Sequence, residues 1–261
     1  MVLITALRSA VFMLLLAAAT VITLLALVCG FWLSQRARRL IVVPYVNVIM
    51  FLIRHVLGIR HQVIGAENIP AGPCVILSKH QSAWETFALQ HVFHLTSFVY
   101  KQELHWLPFF GWGLWLLPFV AIDRNAGKEA LNQVTERGKR RIADGYSVVI
   151  FPEGTRVPPG QKKRYKVGGA VLAKAAAAPA VPVALNSGEC WGRNAFLKSP
   201  GLVTMSVGPA IDPTGLTPDE ITAQAEAWVE GEMARISPHL YAVADQTRQP
   251  HQPRQPQGES A

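Results

Sequence analysis

The longest apolar stretch of the chain lies close to its N-terminus. Residues Ser9–Ser34 carry no charged side chain, and as a helix at about 1.5 Å per residue they would reach roughly 35–40 Å, more than the ~30 Å hydrocarbon core of a bilayer. This stretch is longer than the apolar region of a signal peptide, which predicts an uncleaved membrane anchor. Arg36, Arg38 and Arg39 follow it, whereas Arg8 alone precedes it. The positive-inside rule therefore predicts that the rest of the chain faces the cytoplasm, and we expect the membrane to be the inner membrane of the cell.

A second apolar segment follows the first. Residues Leu40–Arg60 have a helical pattern that is interrupted by Pro44 and contains Asn47, Arg54 and His55. These residues predict a helix that dips into the membrane interface as a partner of the first. We therefore assign residues 1–60 to an N-terminal, hydrophobic two-helix membrane anchor.

From residue 61 to residue 243, short apolar runs alternate with segments of helical spacing. CVIL, SVVI and VPVAL have the length and composition of buried strands. The segment TPDEITAQAEAWVEGEMARIS is a predicted helix with Thr217 as its N-cap candidate. The alternation predicts an α/β domain with a mixed, mainly parallel sheet flanked by helices. The polar, proline-rich residues 244–261 predict a disordered tail.

One internal segment has the hydropathy of a membrane span but a different composition. Leu104–Ile122 has no formally charged residue, yet it contains two prolines, two glycines and three tryptophans. Such a mixture is typical of a surface at the membrane interface or in contact with acyl chains. We predict that it does not span, because a span here would place the polar motifs on its two sides in different compartments.

The charge balance limits the class of partner. The chain has 25 Lys+Arg against 17 Asp+Glu, and only 16% of its residues are charged. A basic balance suits nucleic acid or an anionic membrane, but the aromatic residues lie among leucines and prolines instead of among basic residues. This favours the lipid bilayer and argues against nucleic acid. The three cysteines have neither disulfide nor zinc-site spacing, so we expect no metal and a reducing compartment.

The stretch HQSAWE raises the question of why His80 and Glu85 stand at this spacing. On one helix the two residues would point to different faces. If they meet, His80 lies on the turn that leaves the preceding strand, and Glu85 lies in the helix that follows. Such a turn is a usual place for polar active residues held by a rigid scaffold. The alternative is a solvated histidine near a helix start.

Two more candidate stretches follow strand patterns. FPEGTR comes directly after YSVVI and combines Glu153, Gly154 and Arg156 at the usual ligand position of an α/β sheet. Glycine allows close backbone approach, and a guanidinium can bind phosphate through two parallel hydrogen bonds. Lys101 follows another strand pattern. The alternatives are a surface ion pair between Arg156 and Glu153, which is worth little, and a solvated Lys101.

Four motifs occur in a fixed order over about residues 62–210. They are HQSAWE, KQELHWLPFFGW…AIDR, FPEGTR and VPVALNSG. In these motifs and their order the sequence resembles the 1-acyl-glycerol-3-phosphate acyltransferase family of glycerolipid synthesis. Glu85 stands where that family has aspartate. The longer arm keeps a carboxylate that can accept a hydrogen bond from the imidazole.

The resemblance implies transfer of a fatty acyl group from acyl carrier protein or coenzyme A to the sn-2 hydroxyl of lysophosphatidate. The thioester is a co-substrate, and no cofactor is expected. His80 would act as general base, and Glu85 would orient its imidazole. A backbone N–H after His80, at the start of the following helix, is our hypothesis for the oxyanion donor. The resemblance further assigns phosphate binding to Lys101 and Arg156, acceptor binding to Glu153 and Gly154, and the acyl-donor side to the strand around Pro182.

Two other functions stay open at this point. One is the same chemistry on another lyso-lipid, such as a lyso-ornithine lipid, and the other is non-catalytic lipid binding on the same fold. Lys101 and Arg156 argue against an acceptor without phosphate. The presence of His80, Glu153 and Arg156 argues against a loss of catalysis.

Overall fold

The computed structural model describes residues 2–107, 110–123 and 126–241. The predicted tail, residues 244–261, lies outside the described residues, as do Pro108, Phe109 and Arg124 of the motifs. The helices are α1 (Val2–Cys29), α2 (Gln35–His55), α3 (Trp84–Val92), α4 (Phe110–Leu116), α5 (Lys128–Ala143), α6 (Gly168–Ala175) and α7 (Pro218–Ile236). The strands are β1 (Ile59–Ile64), β2 (Val75–Ser78), β3 (Thr96–Lys101), β4 (Val120–Ile122), β5 (Ser147–Ile150), β6 (Ala180–Leu185) and β7 (Gly201–Val207).

In the described residues the strands form a seven-stranded sheet in the order β1-β7-β6-β2-β5-β3-β4. Antiparallel pairing joins β6 to β7, and all other neighbours pair in parallel. The predicted mixed, mainly parallel sheet is therefore confirmed. The strands β2, β5 and β3 are adjacent and parallel, so their carboxyl ends meet at one edge of the sheet.

The last helix begins where the sequence predicts. The Thr217 hydroxyl accepts a hydrogen bond from the Glu220 N–H, and the Glu220 carboxylate accepts one from the Thr217 N–H. This reciprocal pair is a capping box. From this start α7 packs its buried side chains against α6 and β6, which places one face of the helix beside the strands that carry the motifs.

Helix α2 belongs to the core of the domain. Its residues Val46, Ile49, Met50 and Ile53 are buried in the same hydrophobic cluster as side chains of β2, β6 and β7. The predicted boundary at residue 60 therefore does not divide two separate cores. Within the described residues, α1 is the one helix that is long and apolar enough to cross a membrane.

Helix α1 contacts the domain at several points along its length. Phe12 packs edge-on against Trp191, with ring centroids 5.4 Å apart, and the Ser9 hydroxyl accepts a hydrogen bond from the backbone N–H of Lys198. Further along, Leu24 lies so close to Gly113 of α4 that an added Cβ would be 2.1 Å from a Leu24 methyl. The small glycine therefore permits the close approach of the two helices.

The tryptophan-rich segment is divided among short elements. The described part of Leu104–Ile122 contributes to a 3₁₀ turn (Gln102–Trp106), to the seven-residue α4 and to β4. Each of these is too short to cross a bilayer, in agreement with the prediction. The side chains of Trp106, Trp112 and Trp115 are exposed, as expected of a surface at a membrane interface.

Candidate active site

The His80 turn, residues 79–83, connects β2 to α3. Nδ1 of His80 lies 2.6 Å from Oε2 of Glu85, which is in the first turn of α3. The predicted meeting of the two side chains is observed, with each on the element expected. Because a carboxylate only accepts, Nδ1 carries the hydrogen and Nε2 is left with its lone pair.

The Glu85 carboxylate is fully buried and held by several donors. Its second oxygen, Oε1, accepts hydrogen bonds from the N–H groups of Gln81 and Ser82 at 2.8 and 2.6 Å. The Ser187 hydroxyl, on the 3₁₀ turn after β6, donates to the same oxygen at 2.6 Å. Such donors stabilise the ionised carboxylate inside the protein. The N–H groups of Gln81 and Ser82 are therefore already bonded to Glu85, so neither is available as the oxyanion donor. An oxyanion donor at the start of α3 stays a prediction.

The imidazole of His80 is also fixed by packing. Its ring stacks on Phe151, the first residue of FPEGTR, with centroids 3.8 Å apart and planes inclined by 16°. Its side chain is 15% exposed, so the ring stays accessible from one side. The stacked ring and the bond at Nδ1 together fix the direction of Nε2.

Glu153 is enclosed instead of facing a ligand. Its residue is fully buried, and Oε2 accepts a hydrogen bond from the backbone N–H of His80 at 2.8 Å. Oε1 lies 2.8 Å from Nζ of Lys79. Burial raises the pKa of the Glu153 carboxyl to about 7, although Lys79 and the His80 N–H oppose the rise. The predicted acceptor contact of Glu153 has no support in this geometry, whereas a contact with the His80 turn is observed.

Gly154 supplies the turn that follows. Its φ is +72°, a left-handed conformation that favours glycine, and a Cβ at this position would lie 3.3 Å from the side chain of Lys166. Its N–H donates to the carbonyl of Phe151. The turn directs Arg156 back toward the cavity that His80 lines. The predicted contact of Gly154 with the acceptor stays a prediction.

His80, Lys101 and Arg156 line one cavity of about 420 Å³. Lys101 is 47% exposed and lies 3.2 Å from Glu103, so its charge is partly compensated at the surface. The rest of the lining is mainly apolar and comes from α1, α2, α3, α4, β3 and the residues around β4. A volume of this size suits a small ligand or part of a lipid.

Pro182 does not reach this cavity. It lies in the middle of β6, opposite Leu77 of β2, and lines a different cavity together with Trp228 of α7. The assignment of Pro182 to the acyl-donor side therefore has no support in the cavity geometry. In the described part of the chain, no cluster of three or more His, Cys, Asp or Glu side chains is arranged to hold a metal ion.

Four side chains that shape the site were not predicted from the sequence. Lys79 and Phe151 sit inside or beside recognised motifs, and Ser187 belongs to the NSG that ends the fourth motif. Their proximity to the motifs was the available signal. Glu230 of α7, which lies 2.7 Å from Lys79, is far from every motif and has no local signal.

Comparison with known proteins agrees with this geometry. A model of the acyltransferase family matches residues 60–186. The chain is 47% identical over 210 residues to a 1-acyl-sn-glycerol-3-phosphate acyltransferase of Pseudomonas aeruginosa, covering 79% of this chain and 82% of that protein. It is 30% identical over 198 residues to the human alpha form, covering 74% and 69%.

A solved structure has the same fold. The LPA acyltransferase PlsC of Thermotoga maritima superposes with a TM-score of 0.75 at 22% identity, over 88% of this chain and 95% of that one. The extent of the identity with the bacterial relative, together with the ordered motifs, shows the family. The chain belongs to the 1-acyl-sn-glycerol-3-phosphate acyltransferase family.

Proposed function

We propose that the protein transfers a fatty acyl group from a thioester of acyl carrier protein or coenzyme A to the sn-2 hydroxyl of 1-acyl-glycerol-3-phosphate. The product is phosphatidate. The observation that carries the proposal is the His80–Glu85 pair, whose buried carboxylate fixes an imidazole in the wall of a cavity that also contains two cations. The relatives named for this activity support the choice of acceptor.

The chemistry follows from the hydrogen bond at Nδ1. Nε2 of His80 takes the proton of the acceptor hydroxyl while that oxygen attacks the thioester carbonyl. The buried Glu85 carboxylate stabilises the imidazolium that forms. When the tetrahedral intermediate collapses, the C–S bond breaks and the thiol leaves with the proton held on Nε2. The attacking group belongs to the substrate, so the cycle needs no acyl-enzyme and no cofactor.

Arg156 and Lys101 give the cavity positive charge. A guanidinium matches two phosphate oxygens at once, whereas an ammonium acts as a point charge. We assign the main phosphate contact to Arg156, because the Lys101 ammonium is partly compensated by Glu103. An acceptor without phosphate would leave the Arg156 guanidinium without the anionic ligand that its two parallel donors suit.

The apolar lining of the cavity is suited to acyl chains. Leu24 and Leu27 of α1 face the cavity together with Phe87 of α3 and Leu114 of α4. Because α1 is also the helix able to cross a membrane, a lipid substrate would reach His80 without leaving an apolar environment. The exposed tryptophans beside α4 support a position at the membrane surface.

We place the protein at the inner membrane with the domain in the cytoplasm, where acyl carrier protein and coenzyme A thioesters are found. The arginines after α1 support this orientation. A cysteine introduced at the exposed Lys162 in a Cys29→Ser background should resist a membrane-impermeant thiol reagent added to intact cells. Labelling without permeabilisation would overturn the orientation.

The activity is tested with membranes that contain the protein, lysophosphatidate and a labelled acyl thioester. Wild type should form phosphatidate, and His80→Ala should lose at least 10²-fold in kcat, the lower range for general-base help. His91→Ala, which changes an exposed histidine of α3, serves as the matched control and should keep wild-type activity. Equal rates for wild type and His80→Ala would refute the mechanism. If a lysolipid without phosphate is acylated faster than lysophosphatidate, that lysolipid is the acceptor and the proposed acceptor is wrong.

A further inference from the structure

A buried network of three charged side chains lies beneath the His80 turn. Nζ of Lys79 is 2.8 Å from Oε1 of Glu153 and 2.7 Å from Oε1 of Glu230. It also donates to the carbonyl of Gln161 at 3.3 Å. Lys79 and Glu153 are fully buried, and Glu230 is 8% exposed. One cation thus joins the motif FPEGTR to the C-terminal helix α7.

The network is bonded directly to the backbone of the catalytic histidine. The oxygen of Glu153 that does not contact Lys79 accepts the His80 N–H at 2.8 Å. The carbonyl of His80 accepts a hydrogen bond from the N–H of Val157 at 2.7 Å. Both backbone polar groups of His80 are therefore held by the segment that contains FPEGTR, and Glu153 is held in turn by Lys79.

The charges of this network do not cancel. Two carboxylates share one ammonium, so the network has a formal charge of −1 inside the protein when every group is ionised. Buried ion pairs are a poor source of net stability, because desolvation of the charges offsets most of their attraction. Their directional bonds can instead fix one geometry among several packed alternatives. In this protein the geometry that they fix is that of the His80 turn.

We propose that Glu230 is a positioning residue, which acts through Lys79 and Glu153 to hold the backbone of His80 in its reactive position. The C-terminal helix, beyond the residues 60–186 that the family model matches, thereby contributes to catalysis without touching substrate. This inference rests on the proposed function of His80 as general base. Burial alone would lower the pKa of Lys79, but Glu153 and Glu230 together raise it, which keeps the ammonium charged.

The test compares Glu230→Gln and Glu230→Asp with Glu232→Gln. Glu232 lies on the same helix but pairs with Arg235 near the surface, so its variant is a matched control. At a temperature well below unfolding, Glu230→Gln should lower kcat about tenfold, since small misplacements of a catalytic group cost this much or more. KM for lysophosphatidate should stay within about twofold. Glu230→Asp keeps the charge and should recover part of the loss.

A residue that only stabilises the fold would give a different result. Its replacement would lower Tm and leave kcat at the lower temperature unchanged, and that result would overturn the proposal. Wild-type kcat in Glu230→Gln, or a loss of equal size in Glu232→Gln, would also overturn it. If Glu230→Gln folds poorly, Glu230→Asp is measured in its place and should show a reduced kcat at an unchanged KM.

A second measurement separates this inference from the proposed function. The rate at which diethyl pyrocarbonate modifies His80, followed by mass spectrometry, reports the position of the imidazole without any substrate. Glu230→Gln should change this rate at least threefold, and Glu232→Gln should not. An unchanged rate would refute the positioning role even if wild type acylated no lysolipid, whereas an inactive wild type with a changed rate would refute only the proposed function.

Discussion

The active-site cavity contains a base site, formed by His80 and Glu85, and a phosphate site, formed by Lys101 and Arg156, and the two are built in different ways. At the base site, both oxygens of the Glu85 carboxylate are buried and hydrogen-bonded, and the imidazole is stacked on Phe151. At the phosphate site, Lys101 is half exposed. Within the described part of the chain, the buried Nε of Arg156 has no hydrogen-bond partner.

This difference follows from what each end does in the proposed reaction. The base must point at one proton, and a carboxylate that is held by backbone N–H groups needs no rearrangement when the imidazolium forms. The phosphate site must accept and release a charged ligand, and the exposure of Lys101 suits such exchange. Substitutions at the base site should therefore change kcat, and substitutions at the phosphate site should change KM.

The largest effect is expected for Glu85→Gln. The neutral amide can present its N–H₂ to Nδ1 and select the tautomer in which Nε2 carries the hydrogen, a change that costs about 10⁴-fold in a serine protease. We expect kcat to fall by roughly 10³–10⁴ with a nearly unchanged acceptor KM. Glu85→Asp keeps the charge and should stay within about a hundredfold of wild type. Wild-type turnover by Glu85→Gln would show that His80 is oriented by another group.

A smaller effect is expected for Ser187→Ala. The variant removes one donor to the Glu85 carboxylate, and hydrogen bonds to charged groups contribute about 1.5–3 kcal/mol. We expect kcat to fall about tenfold. Ser97→Ala is the control, because that buried hydroxyl donates to the neutral carbonyl of Pro118 and should affect only stability. Equal kcat losses in the two variants would show that the hydrogen bond from Ser187 to Glu85 has no specific effect on catalysis.

At the phosphate site, Arg156→Lys should raise the acceptor KM by about tenfold, or ~1.4 kcal/mol, and leave kcat unchanged. Lysine keeps the charge but loses the two parallel hydrogen bonds of the guanidinium. The KM for the acyl thioester, measured in the same assay, is the internal control. A raised thioester KM with a normal acceptor KM would show that Arg156 binds the acyl donor. The contrast between the base site and the phosphate site would then be wrong.

The last effect concerns stability and its dependence on pH, and it is separate from turnover. Burial raises the pKa of Glu153 from 4.5 to about 7, so between these values the folded protein keeps a proton that the unfolded chain has lost. This contribution to stability is full below pH 4.5 and is lost as pH rises through about 7, which lowers the free energy of unfolding by about 3 kcal/mol. Thermal unfolding of wild type and Glu153→Gln should show it.

The expected sign is specific. The Tm of wild type should decrease relative to that of Glu153→Gln as pH rises from 5 to 7.5, because the amide cannot titrate. If the Tm values of wild type and Glu153→Gln change in parallel over this pH range, the pKa of Glu153 is not raised.

The local pattern of the chain determined its elements. Alternating apolar runs and helical segments specified the strands, and Thr217 specified the start of α7 because a cap is a contact between residues three positions apart. The turn between β2 and α3 was equally local, so the meeting of His80 and Glu85 followed from a spacing of five residues. The adjacency of β2, β5 and β3 also brought the predicted His80, Lys101 and Arg156 to one cavity.

Tertiary structure decided which of the other motif residues face the cavity. Glu153 and Pro182 lie in motifs, yet the sheet directs the Glu153 carboxylate inward to Lys79 and places Pro182 beside α7. Glu230 pairs with a residue 151 positions away, and no periodicity in the sequence encodes such a contact. Helix α2 has the apolar pattern of an anchor, but its Val46 and Ile53 are buried on the sheet. Apolar patterning shows that a face must leave water, and only the packed chain determines what covers it.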